Sequence, residues 1–282
     1  MNTSAAPAKT TPRAVCGTIG RNSIANLARS GSPTAHPTRP STPIAIASPP
    51  ESVAVNAAHV TAVMVAPFEG VQGFEALLGD ERRRAIALGP GAGAGSDLRK
   101  LVTAALTWPA AVRTVVLDAD ALTSFSGEAE KLGALITRGG HAAVMTPHEG
   151  EFARLFMGAP GVDPEDDKLA RARAAARLTG AVVVLKGADT VVAAPDGRAS
   201  IGWDLPPTLA TAGSGDVLTG FVAGLATQGL PAYEAASAAV WLHGAAARTF
   251  GPGLISEDLP EALPEVLRDL GSFGRGRGFS KA

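Results

Sequence analysis

Hydrophobic positions from Glu51 onward fall into a repeating rhythm. Short, almost wholly apolar runs stand at Ala85 to Leu88, Thr114 to Leu117, Ala142 to Met145 and Val182 to Leu185. A run of this length without polar alternation is the pattern of a parallel strand covered on both faces. Between the runs lie alanine-rich windows, which predict helices over Ser96 to Leu106, Glu128 to Thr137, Glu149 to Phe156, Pro164 to Thr179, Gly213 to Gln228 and Ala232 to Thr249. Strands alternating with helices predict a doubly wound, parallel α/β sheet. Around Pro195-Asp196-Gly197, the segments Thr190 to Ala194 and Arg198 to Trp203 predict a β-hairpin. From Gly271 the sequence Gly-Ser-Phe-Gly-Arg-Gly-Arg-Gly reads as frayed coil.

The opening of the chain breaks this rhythm. Its first 50 residues contain no Asp or Glu, five Lys or Arg, and many Ser, Thr and Pro. Such a segment cannot bury a core, and residues 1–43 are expected to be a disordered leader. The acid-free composition also suits an organellar transit peptide, but Pro33, Pro37, Pro40 and Pro43 would break an amphipathic helix. No apolar stretch precedes Cys16, so a signal peptide or lipoprotein anchor is not supported. From Glu51 onward, 20 basic residues face 26 acidic ones.

Composition narrows the partners. The 282 residues are 46% hydrophobic and 18% charged, with a formal net charge of −1. Near-neutrality with 5% aromatic residues gives no electrostatic footprint for nucleic acid. Gly, Thr, Ser, Asp or Arg interrupts every apolar run well before the roughly 18 residues of a membrane span. Cys16 is the single cysteine, which excludes an internal disulfide and makes a reducing, cytoplasmic compartment the default.

Chemistry concentrates at the ends of the predicted strands. In Leu209-Ala-Thr-Ala-Gly213-Ser214-Gly215-Asp216, followed by Val217-Leu-Thr-Gly-Phe221, small residues curl the backbone before a helix starts. Amides at that start would face an anion. Asp216 is out of place for simple anion binding, since a carboxylate repels phosphate. It is either a base for an acceptor hydroxyl beside those amides or a plain helix-start carboxylate, and spacing alone does not separate the two. Val182-Val-Val-Leu-Lys186-Gly187-Ala188-Asp189-Thr190 ends a strand in a Lys-Gly step that suits a nucleotide, with Thr190 as a donor; a β-turn with a solvated lysine explains it at least as well. Leu88-Gly-Pro-Gly91-Ala-Gly93-Ala-Gly-Ser96 fails both the GxGxxG and the GxxxxGK[ST] registers. It either lets a bulky ligand approach at a strand's carboxyl end or forms a tight turn. Asp118 and Asp120 lie two apart, on one face if the chain is extended, with Asp120 equally suited to cap a helix. Glu151 falls in a helix's first turn, where it is either a solvated carboxylate or a water-mediated Mg²⁺ contact. His148 sits at a strand-to-helix turn as a ligand contact, whereas His59 and His243 lie in alanine-rich helical contexts and read as structural.

In order, Gly89-Pro-Gly-Ala-Gly93, Asp118-Ala-Asp120-Ala-Leu, Thr146-Pro-His148-Glu-Gly-Glu151-Phe, Lys186-Gly-Ala-Asp-Thr190 and Ala212-Gly-Ser-Gly-Asp216 resemble the ADP- or ATP-dependent NAD(P)H-hydrate dehydratases of the ribokinase-like superfamily. The resemblance runs from about Ile44 to the region of Leu270. It implies a three-layer αβα sandwich with a central, mostly parallel sheet over residues 44–272, followed by a flexible tail at 273–282. It further implies that a nucleotide phosphorylates the 6-hydroxyl of hydrated NADH or NADPH, after which phosphate leaves and the dihydropyridine ring is restored. Lys186, Gly187, Ala188, Asp189, Thr190 and Gly215 would contact ADP or ATP; Gly91, Gly93, His148 and Asp216 would face the hydrated dinucleotide. Asp216 would be the base, Gly213, Ser214 and Gly215 the anion hole, and Glu151 the outer-sphere Mg²⁺ contact. Bacterial relatives mostly use ADP and often assemble as tetramers, and no nucleic-acid or membrane partner is implied.

One departure stands out. Relatives begin with a glycine- and alanine-rich strand-helix unit that supplies an alanine to the substrate pocket, and here only Ile44-Ala-Ile-Ala-Ser-Pro-Pro50 is similar to its end. A shifted frame or wrong start upstream of about residue 44 is therefore expected, with the loss of a sheet strand and part of the substrate wall. Two other functions share these motifs: a small-molecule kinase acting on an alcohol such as a vitamin precursor, and a nucleotide-binding protein without turnover.

Overall fold

The computed structural model describes residues 44–109 and 112–275. The expectations for residues 1–43, including the leader, and for the tail beyond Arg275 lie outside that range. Four parallel strands form the centre of the sheet: β3 (Ala85–Leu88), β4 (Thr114–Leu117), β5 (Ala142–Met145) and β6 (Val182–Leu185), each with the bounds the apolar runs predict. The predicted hairpin, β7 (Thr190–Ala193) and β8 (Ala199–Gly202), adds antiparallel to β6, giving a six-stranded sheet in the order β3-β4-β5-β6-β7-β8. Two strands the pattern does not predict, β1 (Ala45–Ser48) and β2 (Met64–Pro67), pair with each other in a separate parallel sheet.

Burial on both faces explains the apolar runs. Val115 and Leu117, Ala143 and Met145, and Val183 and Leu185 enter one core. Their neighbours Val116, Val144, Val182 and Val184 enter the other, as the two-residue period of a strand requires. The first core is covered by α2 (Gly70–Leu78), α3 (Ser96–Thr107), α5 (Ala129–Gly139), α6 (Glu149–Leu155) and α7 (Lys168–Thr179). The second is covered by α8 (Ser214–Thr227), α9 (Ala232–Phe250) and α10 (Asp258–Arg275). The result is the expected three-layer αβα sandwich. Two short helices complete it, α1 (Val53–His59) between β1 and β2 and α4 (Asp120–Thr123) after β4.

Three boundaries depart from expectation. α7 starts at Lys168 rather than Pro164, because the Asp167 carboxylate accepts the Ala170 amide at 2.8 Å and caps the helix there. α10 lies in a stretch where the pattern predicts no helix, since Pro264 falls inside it. Its buried stripe of Leu259, Ala262, Leu263 and Val266 holds it against the second core. The same helix continues through Arg275, so residues 271–275 are helical rather than frayed coil.

β1 and β3 do not pair. Parallel bonding turns the backbone of Ile44, Ile46 and Ser48 toward β2, leaving Ala45 and Ala47 facing the other way. By the same logic Arg84, Ile86 and Leu88 face β4 and Ala85 and Ala87 do not. These four alanines line a cavity of about 90 Å³ together with Phe74, Leu77 and Leu78.

Candidate active site

The motifs converge at the carboxyl ends of β3 to β6, around one buried carboxylate. Asp118, directly after β4, is 1% exposed. One oxygen accepts from Lys186 Nζ at 2.8 Å and the other from Thr219 Oγ1 at 2.8 Å. The Thr219 hydroxyl lies 3.2 Å from that of Thr146, at the end of β5. A carboxylate can sit this deep only because both oxygens are bonded and a cation faces it.

Lys186 leaves β6 with its amide bonded to the Pro147 carbonyl at 2.8 Å. Its ammonium is also 3.9 Å from Glu151 Oε2, and a Cβ on Gly215 would stand 3.1 Å from it. A solvated turn lysine is therefore ruled out; this side chain turns inward and joins the strand-end loop to the start of α8. At that start the Gly213 backbone is left-handed (φ +84), the Ser214 hydroxyl donates to the Leu209 carbonyl, and Ser256 bonds the Ala212 carbonyl. The Ser214 amide donates to the Thr211 carbonyl at 3.3 Å. The Gly215 and Asp216 amides find no acceptor among the described residues, as the first amides of a helix generally do.

Asp216 is the third residue of α8 and opens to solvent. Its carboxyl is held above the ordinary carboxylate range, first by shielding from water and then by the charge of Asp118, with Glu151 and Asp120 adding; Lys186 opposes them. A shift in that direction is what a carboxylate that accepts a proton near neutral pH requires.

The glycine-rich loop folds back over the end of β4. Gly93 donates to Asp120 Oδ2 at 2.8 Å and Gly95 to Ser124 Oγ at 3.0 Å. At Gly89 (φ +127) a Cβ would fall 1.8 Å from the Asp118 carbonyl oxygen, so only glycine lets the two strand ends approach. Asp120 is not the helix cap: Ala119 holds that position, at φ +46, and Asp120 opens α4 while anchoring the loop. The bend at Ala119 also means that the chain is not extended there, and Asp118 and Asp120 take different partners. Gly93 lines a cleft of about 810 Å³ whose opposite wall is Pro49, Pro50, Phe68 and Val71; Gly91 does not line it. A volume of that order is typical of a small-molecule site.

His148 caps α6 with its ring. Nδ1 accepts the amides of Gly150 and Glu151 at 2.9 and 3.3 Å, while Glu151 Oε2 accepts the His148 amide at 2.9 Å. With Nδ1 accepting, a neutral ring carries its proton on Nε2, which is left as a donor. Glu151, 7% exposed, is thus a buried half of a capping box and not a solvated carboxylate.

In the Lys186–Thr190 loop, Thr190 Oγ1 donates to the Gly187 carbonyl at 2.8 Å and lies 3.2 Å from the Gly187 amide. Its hydroxyl shapes the loop instead of standing free as a donor. Gly187, Ala188 and Asp189 are exposed, with Asp189 bonded to Lys168 at 2.8 Å. Thr146, Thr219 and Lys168 are contributions that sequence reasoning misses. The one available signal is a hydroxyl residue at 219 inside an otherwise apolar helical face. His243 is buried on α9, edge-on to Phe221, in the structural role expected of it, and burial lowers its pKa to about 4.

A six-stranded, mostly parallel sheet between two helical layers, with an amide-rich helix start and a carboxylate at its strand ends, defines the ribokinase-like class. A ribokinase-like superfamily protein from Enterococcus faecalis shares the fold at 22% identity and a TM-score of 0.62, covering 80% of this chain and 76% of that one. Residues 41–265 match the NAD(P)H-hydrate dehydratase family, and the chain belongs to it. It is 43% identical over 194 residues to the bifunctional NAD(P)H-hydrate repair enzyme of Moorella thermoacetica, covering 66% of this chain and 34% of that protein. It is 46% identical over 135 residues to the ADP-dependent (S)-NAD(P)H-hydrate dehydratase of Neisseria meningitidis, covering 48% and 45% respectively. The chain thus spans less than half the length of these curated relatives. The structure of ADP/ATP-dependent NAD(P)H-hydrate dehydratase from Bacillus subtilis, co-crystallized with ATP/Mg²⁺, is similar at 27% identity and a TM-score of 0.65, covering 80% of this chain and 79% of that one. No described helix is long and apolar enough to cross a membrane.

Proposed function

We propose that this chain is a hydro-lyase of metabolite repair. It dehydrates the S-epimer of hydrated NADH or NADPH at the expense of ADP, which yields AMP and phosphate, with ATP as an alternative donor. The reading places it in the cytoplasm as a homotetramer. The observation that carries it is the Lys186 ammonium, paired with buried Asp118 and standing beside Gly215 at the start of α8, next to a carboxylate whose pKa is raised.

In this scheme the loop 186–190 and Gly215 hold the nucleotide, and the cleft beside Gly93 takes the hydrated dinucleotide, with the Nε2 proton of His148 offered to one of its acceptors. Asp216 removes the proton from the 6-hydroxyl as that oxygen bonds to the terminal phosphorus and the bond to AMP breaks. The free amides and the Lys186 ammonium receive the developing negative charge without reorganising. Phosphate then departs from C6 with the C–O electron pair while C5 gives up a proton to solvent, and the double bond of the dihydropyridine is restored. Mg²⁺ supplies charge neutralisation on the phosphates when bound. It needs only one or two carboxylates plus phosphate and water. Glu151 fits that outer-sphere role, since the cap uses Oε2 and leaves Oε1 with His148 Nε2 at 3.5 Å. Among the described residues no group of three or more His, Cys, Asp or Glu is placed to hold a metal ion.

The test is recovery of absorbance at the NADH band from hydrated NADH with ADP, and separately with ATP. Nucleotide consumption with a vitamin-precursor alcohol instead would establish the kinase reading, and binding without turnover the inactive one.

A further inference from the structure

The next inference rests on the reading that the Lys186–Thr190 loop carries the adenine nucleotide. α7 starts beside that loop, and its first residue, Lys168, has a side chain only 13% exposed. Its ammonium lies directly over the loop's backbone: a Cβ on Gly187 would fall 2.3 Å from Nζ. A side chain at 187 would have to displace that lysine head, and the Gly187 φ lies outside the left-handed region.

Two carboxylates face this ammonium. Asp189 Oδ1 is at 2.8 Å and Glu149 Oε1 at 3.9 Å. Glu149 is already held by Arg171 through bonds of 2.9 and 3.2 Å, so Asp189 is the partner that belongs to Lys168. The Asp189 side chain is 62% exposed, and water can take it over at little cost. The ammonium cannot leave as easily, being packed against the loop. An anion delivered to this loop would compete with an exposed carboxylate for a cation already in place, and a terminal phosphate, at about −1.5 to −2, brings it more negative charge than one carboxylate does.

We propose that Lys168 is a phosphate ligand of the nucleotide, kept over the loop by Asp189 until the nucleotide arrives. The alternative is a clamp, in which the Lys168–Asp189 pair only holds the loop's shape. Titration calorimetry of ADP and of adenosine against the whole chain, Lys168→Met and Asp189→Asn separates them. The proposal expects Lys168→Met to weaken ADP roughly 10-fold or more while adenosine stays within about twofold. It also expects Lys168→Arg to restore most of the loss, and Asp189→Asn to weaken ADP less than Lys168→Met does. Equal ADP affinity in Lys168→Met, or parallel weakening of ADP and adenosine in both variants, would overturn it. A parent chain that binds neither probe would instead bring down the nucleotide assignment itself, and this inference with it.

Discussion

Replacing Lys186 by methionine keeps most of its volume and removes its charge. Asp118, 1% exposed, is then left with the Thr219 hydroxyl alone. Stripping one partner from a buried pair costs about 3–5 kcal/mol, and because Lys186 is itself 18% exposed the lower end, about 3 kcal/mol, applies. For a domain of this size each kcal/mol lowers the melting midpoint by about 2–4 °C, giving a fall of about 6–12 °C at neutral pH. Removing both charges, in Lys186→Met with Asp118→Asn, should recover most of that loss, since a buried pair replaced as a unit is often close to neutral. The same variant has a kinetic signature. Asp216 works as a base only when ionised, and its pKa is raised, so turnover is present above that pKa and lost as pH falls through it. Lys186 is the group that opposes the rise, and without it the acid limb of the pH–rate profile moves to higher pH. Calorimetric melting and a pH–kcat profile on the parent and the two variants read both effects. A midpoint within about 2 °C of the parent, together with an unmoved acid limb, would refute the claim that this ammonium neutralises the pocket.

Asp216→Asn should lower turnover about 10²- to 10⁴-fold while ADP affinity by calorimetry changes little; near-parental turnover would remove it as the base. In Gly215→Ala the new methyl meets the Lys186 ammonium at about 3.1 Å, so turnover should fall with the melting midpoint nearly kept, as steady-state rates and a melt will show. If residues 1–43 are a leader without a core, deleting them leaves the midpoint unchanged within error. Replacing them with a glycine- and alanine-rich strand-helix unit should raise both the midpoint and the affinity for hydrated NADH; a deletion that melts many degrees lower argues for a packed leader.

The central sheet is legible because its strands are apolar on both faces: Val115, Val144 and Val183 have no solvent-facing neighbours to blur the signal. β1 and β2 escape notice for the opposite reason. Their residues are mostly half-covered, Met64 is half exposed, and four residues ending in proline look like a loop. At the site, sequence marks Asp216, Lys186 and Glu151 as polar groups where apolar runs end, but not their partners. That Lys186 meets Asp118 depends on β4 and β6 flanking β5, and that Lys168 covers Gly187 depends on where Asp167 starts α7; neither adjacency is written locally. The turn at Ala119 could not be read either, because nothing about an alanine announces a positive φ.

The interruption between β1 and β3 divides the cleft into two banks of unequal stiffness. The bank carrying the glycine-rich loop is built on six strands braced by continuous rungs of backbone bonding. The bank carrying Pro49 and Phe68 stands on two strands whose rungs end at Ala45 and Ala47, so it can tilt as a body without breaking a single interstrand bond. The glycine-rich side of the cleft is in this sense an anvil and the other side a jaw. Isotope exchange should expose the seam: the amides of Ala85 and Ala87, which face it, trade their protons faster than those of Ile86 and Leu88, one residue away and bonded to β4.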